Sequence, residues 1–186
     1  MWDGGDDVAK DIERILFTET DIRAGLSRVA QEVAAYYRDA PCTVVSVLKG
    51  GCLFTADIIR RLPFPLRLSF AAVSSYGDGT TSGRLSLDYF PTDHEIREQR
   101  ILLVDDILDT GRTLAFLRQA LLKQGAREVK TCVLLDKPAR RRVEYEADFR
   151  AFVIEDVFVV GYGLDFAGRY RNLPYIAVLR PEVYAG

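Results

Sequence analysis

Hydrophobic positions change their period several times along the chain, and each change marks an element. Ile22, Leu26, Val29, Val33 and Tyr36 recur at steps of three and four, the spacing of one helix face; Thr18 or Thr20 is placed to cap that helix, and it ends before Pro41. Residues 42–48 are a short β-branched run that predicts a strand, followed by Lys49-Gly50-Gly51 and a helix over residues 52–62. Strands are expected at 66–73 and 84–90, separated by a polar stretch, 74–83, that is long for a simple turn. Residues 100–104 read as a fully buried strand. A helix follows over 113–124, with Leu114, Leu117, Leu121 and Leu122 inward and Gly125 as its stop. Residues 129–135 form another buried run, and shorter strands are expected at 149–154, 158–162 and 176–179. Strand–helix alternation with buried strands implies an α/β fold, a mainly parallel sheet with helices on both faces. Ligands in such sheets lie beyond the carboxyl ends of the strands.

Composition narrows the class. At 186 residues, 48% apolar and 28% charged, the chain has the make-up of a single globular domain able to bury a core without disulfides. Lys plus Arg (25) nearly balances Asp plus Glu (27), which argues against a general nucleic-acid binder. Cys42, Cys52 and Cys132 sit in or beside apolar runs and read as buried free thiols. One histidine, His94, lies in a polar stretch and removes most His-based metal sites and Ser-His catalysis. No apolar run approaches ~18 residues and the first residues are acidic, so neither a membrane span nor a signal peptide is expected, and the cytoplasm is the expected compartment.

The densest chemical signal is Val104-Asp105-Asp106-Ile107-Leu108-Asp109-Thr110-Gly111-Arg112-Thr113. A buried strand delivers adjacent carboxylates, then a third, then a hydroxyl- and glycine-bearing turn that opens a helix. Backbone N–H groups at a helix N-terminus suit a phosphate monoester. The carboxylates repel phosphate but accept from sugar hydroxyls or hold a divalent cation. A ribose 5-phosphate satisfies both halves. Phosphoacceptor receiver domains also place an acidic pair after a strand, but after their first one, whereas here several elements precede it.

Residues 104–113 resemble the 5-phosphoribosyl 1-pyrophosphate (PRPP) signature of type I phosphoribosyltransferases. Val47-Leu48-Lys49-Gly50-Gly51, Val73-Ser74-Ser75-Tyr76-Gly77, Leu135-Asp136-Lys137-Pro138, the run from Phe158 to Asp165 and the run from Arg169 to Ile176 narrow the resemblance to the short bacterial hypoxanthine-guanine phosphoribosyltransferases. It implies the type I fold in one domain, 1–186, with a small hood built from the N-terminal segment and the part after about residue 137. It also implies purine salvage: PRPP plus a 6-oxopurine gives IMP or GMP and pyrophosphate, with Mg²⁺, in a homodimer or homotetramer. A xanthine-preferring enzyme and a PRPP-sensing regulator are the alternatives. The latter usually carries a DNA-binding extension or a basic RNA-binding face.

The resemblance assigns roles by position. Asp105 and Asp106 match the ribose-hydroxyl pair, and Asp109 to Thr113, with Thr110, Gly111 and Arg112, would wrap the 5′-phosphate. Asp109 matches the group that takes the purine N7 proton or, staying ionised, stabilises positive charge. Lys49, Gly50 and Arg171 match pyrophosphate contacts. Lys137 matches the donor to the 6-oxo oxygen and Phe158 the ring that stacks on the base, although a core strand Phe is an equally ordinary reading of that position. Val159 and Asp165 would meet the purine's other edge, with the Asp165 side chain near Mg²⁺ alongside Asp105 and Asp106. Ser75 and Tyr76 open a lid over 74–83, whose alternative is a plain surface loop. Glu155-Asp156-Val157 replaces a turn that often contains proline, and Arg140-Arg141-Arg142 reads as a solvated charge run.

Overall fold

The computed structural model describes residues 5–38, 40–76 and 84–184. Six strands form the main sheet: β2 (Cys42–Leu48), β3 (Leu66–Tyr76), β4 (Arg84–Tyr89), β5 (Arg100–Leu108), β6 (Glu128–Asp136) and β7 (Phe149–Val153), numbered after β1 (Ile12–Phe17). Their order is β4-β3-β2-β5-β6-β7, parallel throughout except for β4, which pairs antiparallel with β3. The central runs are apolar on both sides because both faces are covered. Val44, Leu102 and Val104 pack towards α2 (Glu19–Tyr37) and α3 (Gly51–Ile59), while Val45, Val47, Ile101 and Leu103 pack towards α5 (Arg112–Lys123). The one-turn α4 (Asp93–Ile96) leads into β5 and carries the exposed His94.

Of the two candidate caps, Thr18 starts α2. Its hydroxyl accepts from the Asp21 N–H at 3.2 Å, and the Asp21 carboxylate accepts from the Thr18 N–H at 2.9 Å, a reciprocal capping box. Several expectations need correction. The helix buries Tyr37 rather than Tyr36, because the Tyr37 hydroxyl reaches the Ile101 carbonyl at 2.9 Å while Tyr36 turns out to Glu128. Leu122 is exposed, one residue and about 100° beyond the stripe of Leu114, Leu117 and Leu121. Cys52 is only partly buried, since α3 turns it away from the core that takes Phe54 and Ile58. The strand expected to end at 104 runs to Leu108, so the acidic pair lies within β5.

A second, three-stranded sheet has the order β1-β9-β8, with β8 (Val159–Val160) and β9 (Ile176–Leu179). Residues before α2 were not expected to form a strand. Ile12 to Phe17 become one because they pair antiparallel with β9, more than a hundred residues away. This sheet packs onto the α2–α3 side through Val159, Ile176 and Val178 and has its own outer cluster around Val160, Tyr170 and Leu179. The remaining elements are α1 (Gly5–Asp11), a 3₁₀ turn at Pro138–Arg140, and α6 (Pro181–Tyr184). Among the described residues, no helix is long and apolar enough to cross a membrane.

Candidate active site

The carboxyl ends of β2, β5 and β6 point to one side of the sheet, and the small sheet stands over them. The two carboxylates of β5 stay close enough to interact, and both approach the Gly50–Gly51 turn. Asp106 lies against the turn after β2: a Cβ on Gly50 would stand 1.7 Å from Asp106 Oδ2, so any side chain there would have to displace that carboxylate. The Leu48–Lys49 peptide in that turn is cis, and Lys49 is exposed. Asp105 is buried, and its Oδ1 accepts from the Asp106 N–H at 2.9 Å. Burial pushes the Asp105 carboxyl well above the usual carboxylate range, and the neighbouring Asp106 charge pushes it further. Burial raises Asp106 as well, offset in part by hydrogen bonds and by the Arg171 charge. This pair is under-compensated, and hydroxyl donors or a cation would relieve it.

Beyond the acids the chain makes the turn expected from its sequence. Gly111 has φ of +83° and sits at the start of α5, where a Cβ would stand 3.0 Å from Val143 Cγ2. A cavity of about 290 Å³ opens here, lined by Asp105, Asp106, Thr110, Gly111 and Thr113. The Arg112 N–H donates to Thr110 Oγ1 at 3.4 Å. The helix N-terminus presents its positive dipole end to whatever fills this cavity.

The segment after β6 corrects the expectation of a solvated charge run at Arg141 only; Arg140 and Arg142 are exposed, as expected. Arg141 is largely buried; it donates to the carbonyls of Leu108 and Asp109 and to Asp136. The N–H of Arg142 donates to the Thr110 carbonyl at 2.9 Å. Arg140 Nε lies 3.3 Å from Asp109 Oδ1. The run 140–142 therefore straps the acidic turn from outside. Its rows of identical charges hid this, although its place just past a parallel strand was the signal available in the sequence.

A larger cavity, about 450 Å³, adjoins the first and falls within the size range of small-molecule sites. It brings together Asp106, Asp109, Lys137, Phe158, Val159 and Asp165. Lys137 is buried, with its Nζ 2.7 Å from the Val157 carbonyl and 3.5 Å from Asp156. Asp156, Arg140 and Tyr184 also line the cavity and were not anticipated there. Asp165 is 2.7 Å from Arg171 and accepts from the Gly168 N–H at 2.8 Å, while Arg171 Nη1 donates to the Gly163 carbonyl at 2.6 Å. Gly163, at φ of +102°, rests on the turn after β2: a Cβ would stand 2.3 Å from the Gly50 carbonyl oxygen. The small sheet is thus seated directly on that turn.

Asp105, Asp106 and Asp165, expected near Mg²⁺, are not gathered into one cluster of ligands. Among the described residues no group of three or more His, Cys, Asp or Glu side chains is arranged to hold a metal ion. Asp165 is engaged with Arg171. Ser75 and Tyr76 end β3, paired with Leu85 and Arg84, and residues 77–83 of the expected lid lie outside the described residues.

A family model for the phosphoribosyl transferase domain matches residues 16–167. The chain is 41% identical over 174 residues to a hypoxanthine-guanine phosphoribosyltransferase of Bacillus subtilis, covering 94% of this chain and 97% of that one. It is 40% identical to a bifunctional TilS/HprT protein of Listeria monocytogenes, of which it spans only 28% of the length. A crystal structure of a hypoxanthine phosphoribosyltransferase from Staphylococcus aureus superposes with a TM-score of 0.90 at 37% identity, covering 97% of this chain and 98% of that one.

Proposed function

Because the chain belongs to the hypoxanthine-guanine phosphoribosyltransferase family, we propose that it transfers the 5-phosphoribosyl group of PRPP to a 6-oxopurine, hypoxanthine or guanine, releasing pyrophosphate. One observation carries this reading. The acidic strand end and phosphate-sized turn share a continuous cleft with a buried ammonium and an aromatic ring, and Asp106 borders both cavities.

The chemistry follows from the parts. The 5′-phosphate takes the turn of Thr110 to Thr113, where N–H groups and hydroxyls donate to its oxygens. Ribose hydroxyls donate to Asp105 and Asp106, which eases the charge of that buried pair. The purine lies in the larger cavity with its 6-oxo oxygen on Lys137. That ammonium is already dehydrated and held by the Val157 carbonyl, so its cost of burial precedes substrate binding. An adenine amino group would present a donor to this donor, which disfavours it. Cleavage at C1′ builds positive charge on the ribose and negative charge on the leaving pyrophosphate. Asp109 faces the base and either takes its proton or stabilises the positive charge, while Lys49, the Gly50 backbone and Arg171 receive pyrophosphate.

The site suits Mg²⁺, which keeps several waters and substrate oxygens and so needs only one or two protein carboxylates rather than a closed cage. Asp106 and Asp105 would hold it on the ribose side and Asp165, released from Arg171, on the pyrophosphate side. When bound, Mg²⁺ supplies charge neutralisation for the leaving group. Ser75 and Tyr76 would begin a lid that excludes water from the reactive ribose. We place the enzyme in the cytoplasm as a single domain, 1–186, with the small sheet as its hood. Exposed Leu68, Leu87 and Tyr89 on the outer strand pair support a homodimer or homotetramer, which sedimentation would check.

The test is a spectrophotometric assay with PRPP, Mg²⁺ and each purine base. Formation of IMP and GMP is expected. Turnover of adenine but neither hypoxanthine nor guanine would overturn the substrate assignment.

A further inference from the structure

We propose that Tyr184 is a positioning residue for the purine: its ring fixes the plane of Phe158 and thereby the plane in which the base stacks. The proposal rests on the reading of Phe158 as the base-stacking ring. The Tyr184 and Phe158 rings are 4.7 Å apart at 20°, a stacked pair, and Phe166 meets Phe158 edge-on at 5.7 Å and 89°. Tyr184 therefore covers one face of Phe158, and Phe166 stands perpendicular to that ring. A third planar group would need about twice that ring spacing to enter between Phe158 and Tyr184. The base is left with the other face, and Phe158 and Tyr184 both border the larger cavity.

The fold places Tyr184 there by a short tether. The Leu179 N–H donates to the carbonyl of Phe158 itself at 2.9 Å, so the end of β9 starts alongside that residue. The Arg180 N–H then bonds the Asp11 carbonyl at 2.9 Å, which ties the chain to the edge of the small sheet. Pro181 opens one helical turn, a position where its missing N–H costs nothing, and that turn returns the chain over Phe158 at Tyr184. Phe158 is only half-buried, so without this cover its ring would have two open faces and fewer orientations excluded. A base meeting a ring already in place avoids the cost of ordering it on binding.

Steady-state kinetics of wild type, Tyr184→Leu and Tyr184→Phe test this. Leucine keeps apolar bulk without an aromatic face, and the substitution lies in the last turn of the described chain. Tyr184→Leu is expected to raise KM for hypoxanthine about three- to tenfold, the range an aromatic pair spans. KM for PRPP and kcat should stay within about twofold by the same measure, and Tyr184→Phe should resemble wild type. KM values for both substrates rising together, or an unchanged or lower KM for the base, would overturn the proposal. So would Tyr184→Phe behaving like Tyr184→Leu. A wild-type chain inactive on hypoxanthine and guanine would instead count against the functional reading. Calorimetry with IMP and with ribose 5-phosphate then decides separately. Loss of IMP affinity alone in Tyr184→Leu supports the positioning role, and equal or no loss overturns it.

Discussion

Arg141 and Asp136 form a buried ion pair at the point where β5 and β6 reach the site, with side-chain exposures of 18% and 2%. The other arm of Arg141 bonds the Leu108 carbonyl at 2.9 Å and the Asp109 carbonyl, so one guanidinium fastens the strand end carrying Asp109 to the strand end preceding Lys137. Breaking such a pair from one side typically costs ~3–5 kcal/mol, because a buried charge is stranded. Arg150, 2.8 Å from the second Asp136 oxygen, limits the loss here. Arg141→Ala should therefore destabilise the protein by about 3 kcal/mol, the lower end of that range. The double variant Asp136→Ala/Arg141→Ala should cost less than the sum of the singles. Urea denaturation measures both, and strict additivity would rule out the coupling.

Asp109→Asn should lower kcat by ~10²–10⁴-fold while PRPP binding changes little. The amide keeps the volume beside Arg140 but carries no charge and accepts no proton. Pre-steady-state turnover and PRPP titration separate the two effects. Intact kcat with weakened PRPP binding would make Asp109 a binding residue only.

Lys137→Ala should impair base binding and leave PRPP binding in place. Discrimination against adenine should shrink, since the donor that selects an oxo group is gone. Competition assays with hypoxanthine and adenine give the ratio directly. An unchanged ratio would move base recognition to the backbone near Val159.

The buried acids of β5 set a pH dependence of stability. Asp105 keeps its proton to higher pH when folded than when unfolded, because burial and the Asp106 charge both oppose ionisation. From the ordinary carboxylate range of ~3.9 upward, the folded state binds more protons, so this group's contribution falls as pH rises through its folded value. Asp105→Asn removes that cost. In the ligand-free protein, Asp105→Asn should raise Tm at neutral pH, with the gain closing as pH falls towards 4. It should also weaken PRPP binding. Thermal scans across this window check the sign, and a Tm below wild type at neutral pH would show the carboxylate to be stabilising.

What the sequence by itself determined is what short-range physics controls. The buried strands announced themselves by unbroken apolar runs, α2 and α5 by their period, and the acidic turn by carboxylates followed by Thr110-Gly111-Arg112-Thr113 before a helix. Gly50 and Gly111 were legible as small residues at turns, although only the contacts show that Asp106 and Val143 occupy the space a Cβ would need. Tertiary structure decided everything that depends on partners distant in the chain. Ile12 to Phe17 is a strand because β9 is there to pair with it. Gly161 and Gly163, too few for a dinucleotide motif, take positive φ and pass against backbone oxygens distant in the chain, Tyr175 beside β9 and Gly50 in the turn after β2. Arg141 looked like one of three surface charges, and its burial follows from carbonyls and a carboxylate that converge only when β5 and β6 lie side by side. Tyr184 carries no local signal at all. Its place over Phe158 comes from β8 pairing with β9 and from the single helical turn that follows, because an aromatic contact across 26 positions has no periodicity to record it.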